Sequence, residues 1–374
     1  MIPVTRPVLP PLDEYTRLLE GIWDRAWLTN DGPLALRLEA ELGEFLGARN
    51  VLFVANGTVA LQIAIKAMAL RGEVITTPFS YVATTASLVW EGCTPVFADV
   101  SPKFLTIDPA AVEAAITPRT TGILATHVYG IPCDVDALSA IARRHGLRVI
   151  YDAAHSFGAT YRGLAQTAYG DVSTLSFHAT KLFHTGEGGA IVTDDDALAI
   201  RLRAIRSFGH DGPDNFSGLG INGKNSELHA AIGLTLLPRV PDLIDVRRRA
   251  ASIYDQVVSS EELQRPQLPA GTGWNWSYYP ILLPAHMPVE TVRDALTADG
   301  VNTRRYFNPP LNYLPYVTPV PMPVAEDAAR RVLCLPLYST LSTAEATFVA
   351  ERLAAALAIG RRTTETTGEM GAWR

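Results

Sequence analysis

Lysine is scarce in this chain: Lys66, Lys103, Lys181 and Lys224 stand against 28 arginines in 374 residues. Where a bare positive charge suffices the sequence uses arginine. A lysine inside an apolar, glycine-flanked segment therefore points to chemistry that needs an amine able to lose its proton. Cysteine is scarce too. Cys93, Cys133 and Cys334 are odd in number, far apart and without CxxC spacing, which argues against a disulfide framework or a zinc site and for a reducing compartment, the cytoplasm. Charge of one sign is not in excess: a net −6 and a pI of about 5.8 give no electrostatic case for nucleic acid or an anionic membrane. Long apolar runs are missing as well. The opening MIPVTRPVLPPLDEY lacks the apolar core of a signal peptide. The uncharged stretch 74–90 is interrupted by Pro78 and five threonines or serines before Ser87, so it reads as strand, loop and helix rather than a membrane span.

Several motifs are absent or fail. HExxH and GxSxG do not occur. Residues 218–225, GLGINGKN, approach the P-loop spacing, but Asn225 stands where a magnesium-binding hydroxyl is needed and no strand precedes the loop. The glycine run 186–189 lacks the third glycine of GxGxxG and leads into a strand, which argues against a dinucleotide site there.

What is present is alternation. Helical patterns at 13–26 and 34–46 precede a β-rich run at 51–54, the corner Ala55-Asn56-Gly57-Thr58, and a helical pattern through Leu70. Apolar runs at 74–76, 95–98, 122–126, 148–151, 172–176 and 189–192 are separated or followed by helical patterns at 83–91, 109–116, 135–145 and 197–208. Such spacing predicts βαβ units, hence an α/β fold with a mostly parallel sheet covered on both faces. Beyond a Gly/Asn/Asp/Ser-rich loop at 210–225, a helix over 226–256 is expected to bend at Pro238 or Pro241. Weaker alternation at 276–283, 289–299, 332–337 and 343–358 predicts a smaller α+β domain, and the tail 361–374 is expected to fray. The division is residues 1–240 for the large domain and 241–374 for the small one.

In a sheet of this kind ligands bind at the carboxyl ends of the strands, where Thr58, Tyr81, Asp152, His155, Ser176 and Lys181 gather. The strand–glycine turn–helix corner at Gly57 and Thr58 presents free backbone N–H groups suited to a phosphate, or is a plain turn capped by Thr58. Asp152 ends its strand in YDAAH, as a helix cap or as a carboxylate facing a ring nitrogen. A lysine amine, an anchored phosphate and an acid at a ring nitrogen together match pyridoxal-phosphate chemistry.

Asn56-Gly57-Thr58, TPFSYVAT over 77–84, Asp152-Ala153-Ala154-His155, SFHATKLFHTGEGG over 176–189 and Gly220-Ile221-Asn222 follow one another in an order that resembles the DegT/DnrJ/EryC1/StrS sugar aminotransferases, across residues 7–358. The resemblance implies the aspartate-aminotransferase (type I) fold and a pyridoxal 5'-phosphate cofactor. Lys181 would form the Schiff base and shuttle a proton, and Asp152 would keep the ring nitrogen protonated. Tyr81 would stack on the ring, and His155 would lie near its hydroxyl. Gly57, Thr58 and Ser176 would hold the phosphate, helped by Asn222 of a neighbouring subunit, which implies a homodimer. The wording around Lys181, with Arg304-Arg305-Tyr306-Phe307, most resembles the branch that aminates C4 of nucleotide-linked 4-keto-6-deoxyhexoses with L-glutamate as donor. There Arg304, Arg305 and Tyr306 would meet the nucleotide diphosphate. Related dehydratases carry histidine in place of the lysine, so Lys181 favours transamination. Amination at C3, a dehydratase or isomerase activity, and a catalytically silent relative are the alternatives.

Overall fold

The computed structural model describes residues 1–261 and 263–371. Its centre is a seven-stranded sheet, ordered Asn50–Val54, Gly189–Thr193, Val172–Ser176, Arg148–Asp152, Thr120–Thr126, Glu73–Thr76 and Thr94–Phe97. Pairing is parallel except along Gly189–Thr193, which runs antiparallel to both neighbours, with Val192 opposite Val51 on one side and Ser173 on the other. The expected α/β architecture with a mostly parallel sheet is the observed one.

Both faces are covered, as the apolar strand sequences require. Along the first strand Leu52 and Val54 join one core while Val51 and Phe53 join the other, the period of two that a pleated strand imposes. Helices Gly57–Ala67 and Asp196–Arg206 close the first core around Ile63, Ile191 and Leu202. Helices Pro33–Leu46 and Glu227–Leu236 close the second around Leu38, Leu42, Phe177 and Leu234. Each such large side chain, fully buried, contributes about 1.5–3 kcal/mol.

The helix expected over 226–256 is two helices, Glu227–Leu236 and Val240–Ser260, separated by a 3-10 turn at Leu237–Arg239. Pro238, lacking an N–H, marks the break. Beyond it an antiparallel pair, Tyr279–Leu282 with Val332–Leu335, packs with helices Val289–Ala298 and Thr343–Gly371 around Tyr254, Ile281, Leu296, Leu335 and Leu353. The last helix therefore runs through most of the tail expected to fray, and residues 372–374 lie outside the described residues. Helix Pro323–Arg331 and a small sheet of Thr160–Tyr161, Leu164–Ala165 and Thr272–Gly273 have no counterpart in the sequence reading. Stretch 74–90 is a strand end, a loop and helix Val82–Trp90, and among the described residues no helix is long and apolar enough to cross a membrane. Cys93, Cys133 and Cys334 are free and buried.

Candidate active site

The carboxyl ends of the parallel strands open into a cavity of about 650 Å³ whose lining includes Gly57, Thr58, Tyr81, Asp152, His155, Ser176, Lys181, Arg304 and Tyr306. Nine of the residues singled out from sequence thus meet in one place. Those at the ends of the main sheet's strands arrive there by local rules.

At helix Gly57–Ala67 the cap is Asn56, whose Oδ1 accepts the Val59 N–H at 2.9 Å. The first-turn N–H groups of Gly57 and Thr58 have no partner within the helix and lie at the cavity wall. A Cβ on residue 57 would sit 2.9 Å from the Ser176 Cβ. Glycine therefore lets the helix start and the end of the neighbouring strand close into a cradle for an anion.

Asp152 is the last residue of its strand and only 5% exposed. Its Oδ2 accepts from Thr84 Oγ1 at 2.7 Å and its Oδ1 from the Ala154 N–H at 3.1 Å. Thr84 is in turn bonded to Ser80, and Ser80 to Thr126, at 2.8 and 3.1 Å. Burial pushes the Asp152 pKa up, while the Thr84 and Ala154 bonds and the charge of Lys181 pull it back. Lys181 follows the adjacent strand, and burial pushes its amine from 10.5 down to about 8, opposed by Asp152 and Tyr81. An acid held by hydrogen bonds and an amine freed of part of its proton affinity face the same cavity.

His155 is 3% exposed, lies parallel to Phe307 with ring centroids 5.6 Å apart, and meets Tyr278 edge-on at 4.9 Å. Its Nδ1 accepts the Tyr129 N–H at 3.2 Å. Burial first, and Lys181 second, hold it well below the usual histidine range. The ring is therefore neutral, and the Tyr129 bond places its proton on Nε2. Tyr81, at the N-terminus of helix Val82–Trp90, is 59% exposed, an aromatic face presented to the cavity.

Two residues stand elsewhere. Arg305 does not line this cavity: its guanidinium bonds Glu290 Oε1 at 2.7 Å and the carbonyls of Ala329 and Arg330 at 2.9 and 3.2 Å. Asn222 lies in the exposed loop after helix Asp196–Arg206, bridged to Ser207, with its Oδ1 accepting from Lys224 Nζ at 3.0 Å. Sequence reading gave no role to Thr84, Tyr278, His178 or Glu187, of which the last three also line the cavity. For Thr84 a signal existed, because Ser80 and Thr84 are hydroxyls four residues apart inside a motif already noted, across the start of helix Val82–Trp90.

Comparison with known proteins gives the family. A model of the DegT/DnrJ/EryC1/StrS aminotransferase family matches residues 13–354. The dTDP-4-amino-4,6-dideoxy-D-glucose transaminase of Shigella dysenteriae is 41% identical over 347 residues, spanning 91% of this chain and 95% of its own length. The UDP-2-acetamido-2-deoxy-3-oxo-D-glucuronate aminotransferase of Pseudomonas aeruginosa is 37% identical, spanning 84% and 88%. Among solved structures, that of DesI in the presence of its TDP-sugar product superposes with a TM-score of 0.92 at 36% identity, covering 99% of this chain and 95% of that one.

Proposed function

The chain belongs to the DegT/DnrJ/EryC1/StrS family of pyridoxal-phosphate-dependent aminotransferases, and on that premise we propose that it aminates C4 of a nucleotide-linked 4-keto-6-deoxyhexose. The substrate is dTDP-4-keto-6-deoxyglucose, the product its 4-amino-4,6-dideoxy sugar, and the donor L-glutamate. The observation that carries the reading is Lys181, with its amine near pKa 8, in one cavity with the buried, hydrogen-bonded Asp152. The choice of sugar is supported by the Shigella dysenteriae relative, which carries the name of that 4-amino sugar.

The cavity suits the cofactor. The Gly57–Ser176 approach leaves an anion cradle that a Cβ would fill, and the Asp152 carboxylate lies buried on the side away from solvent. Pyridoxal phosphate, when bound, supplies an electron sink for the carbon that gains or loses the nitrogen. Gly57, Thr58 and Ser176 would hold its phosphate, and Asp152 would accept the ring N–H, its charge kept by Thr84 and Ala154. His155, a donor at Nε2, would face the ring hydroxyl, and Tyr81 would cover the ring and exclude water. The Lys181 amine would take the proton from the donor's α-carbon in one half-reaction and deliver it to C4 of the sugar in the other. Arg304 and Tyr306 would meet the nucleotide diphosphate. Asn222 would reach the phosphate of a second copy, which makes the working unit a homodimer. In the same reading residues 1–240 form the cofactor-binding domain and 241–374 the smaller one, in a cytoplasmic enzyme of deoxysugar and polysaccharide biosynthesis.

The test is a product assay. Protein, pyridoxal phosphate and glutamate are offered dTDP-4-keto-6-deoxyglucose or its 3-keto isomer, with products identified by mass and NMR. An amine at C4 is expected. An amine at C3 would overturn the assigned position, and loss of water without any amino donor would overturn transamination itself.

A further inference from the structure

We infer that Arg304 serves both substrates in turn, binding the distal carboxylate of the amino-acid donor in one half-reaction and the pyrophosphate of the nucleotide sugar in the other. This rests on the function proposed above. A transaminase runs its two half-reactions at one site, with the keto acid leaving before the sugar is aminated. Both substrates must therefore bring a reacting carbon to Lys181, and both must place an anionic end in the same cavity. Among the described residues of its lining there is one ammonium, Lys181, which reacts, and one guanidinium, Arg304.

Arg304 is built to wait for an anion. Its N–H donates to the Cys334 carbonyl at 3.2 Å, and its carbonyl accepts the Cys334 N–H at 2.7 Å, so the backbone is fixed. The side chain is exposed, and among the described residues its guanidinium has no acidic partner and no hydrogen bond. Arg305 is the contrast: its two terminal nitrogens are bonded to Glu290 and to two carbonyls. A planar, permanently charged fork on a fixed backbone is suited to carboxylate and phosphate alike. Arg304 also lines an adjoining groove with Tyr81, Arg293, Arg305 and Tyr306, and of these three arginines it alone also lines the Lys181 cavity. It therefore stands where the Lys181 cavity gives way to a second space, the place for a pyrophosphate that joins a hexose to its nucleoside.

Ligand dimensions agree. In glutamate the distal carboxylate lies about as far from the α-carbon as the C1 oxygen of a hexopyranose lies from C4, a span set by ordinary bond lengths. Aspartate is one methylene short, and alanine has no distal anion. A shared cation thus accounts for a five-carbon dicarboxylate as the donor.

The test uses cofactor-loaded enzyme and follows each half-reaction by the cofactor's absorbance. Arg304→Gln is expected to raise the apparent dissociation constants of glutamate and of the nucleotide sugar by about ten- to a hundredfold each. Arg304→Lys should lie between, and in the parent enzyme dTDP should exclude glutamate. Should Arg304→Gln fail to load cofactor, Arg304→Lys carries the same comparison. The inference is overturned if one constant moves and the other does not, or if dTDP and glutamate bind together. A parent enzyme that aminates another nucleotide sugar refutes the proposed substrate, and the two constants are then read with that sugar. A parent enzyme that aminates the proposed sugar, with a variant that shifts one constant alone, refutes the shared cation and leaves the function standing.

Discussion

The protonation of Lys181 can be measured before any cofactor or substrate is added. With a pKa of about 8 in place of 10.5, about a tenth of the amine is unprotonated at pH 7, against about 3 in 10,000 for an unperturbed lysine. That is a gain of roughly 300-fold in free nucleophile. In cofactor-free protein, labelling of Lys181 by trinitrobenzenesulfonate, read by peptide mass spectrometry with the exposed Lys66 and Lys103 as internal references, should rise through a midpoint near pH 8. The decisive variant is Asp152→Asn. Burial lowers the amine's pKa and Asp152 is the first of the groups that hold it up. Without that carboxylate burial acts with less opposition, so the midpoint moves below 8 and labelling at pH 7 becomes faster. Transamination by the same variant should fall by orders of magnitude, because the carboxylate proposed to face the ring nitrogen is gone. A parent midpoint near 10.5, or an upward move in Asp152→Asn, refutes the electrostatic account of this site. The same shift is a stability statement. The unfolded chain binds the lysine proton more tightly, so cofactor-free protein gains stability as pH rises from about 8 towards 10.5.

Three further outcomes are expected. Thr84→Val removes the 2.7 Å donor to Asp152 and leaves its charge with the Ala154 N–H, a loss of about 1.5–3 kcal/mol to the ionised form. The acid limb of the kcat/KM profile should therefore move to higher pH, and an unmoved limb would count against Asp152 as the group that titrates there. Gly57→Ala puts a Cβ 2.9 Å from the Ser176 Cβ and should weaken cofactor binding at least tenfold, about 1.4 kcal/mol, although alanine is the better helix former. Cofactor titration by absorbance checks it, and parent-like affinity would remove the phosphate from this corner. Finally, Asn222→Ala and Lys181→Met subunits, each inactive alone, should regain activity when co-expressed, because a hybrid dimer then holds one complete site. No regain would mean that Asn222 does not act across a subunit boundary.

Much of this site was legible because its residues sit where strand periodicity ends. Asp152 and Ser176 close apolar runs, Gly57 opens a helix, and the sole lysine of an apolar segment follows. What stayed hidden depends on contacts between distant segments. Arg304 and Arg305 are adjacent and both line the outer groove, but only Arg304 also lines the Lys181 cavity. Which one faces the cavity is decided by the bridge to Cys334, far along the chain. The tautomer of His155 is likewise fixed by the Tyr129 N–H, and no local pattern announces it. The helix break after Leu236 was visible as two candidate prolines: Pro238 lies in the 3-10 turn and Pro241 in the first turn of the next helix.

The aromatic wall of the cavity shows why so much buried polarity is retained. Tyr278 belongs to the segment that leads into the C-terminal core, yet it meets His155 beside the main sheet. That segment is tied across by hydrogen bonds: Asn275 Nδ2 donates to the carbonyls of His155 and Phe157 at 2.8 and 2.9 Å, and Ser277 Oγ to His155 at 2.7 Å. From the other side Arg247, 2% exposed and pushed down to about 10 by burial, donates to Ser339 Oγ at 2.9 Å and to the carbonyls of Trp276 and Ser277. A buried guanidinium is a poor source of stability, since its desolvation offsets what its bonds return. Apolar packing would hold this wall as firmly, but it would not fix its register to within a hydrogen bond. The directional bonds of Asn275, Ser277 and Arg247 do, and they set Tyr278 and His155 against each other at the wall of the cavity.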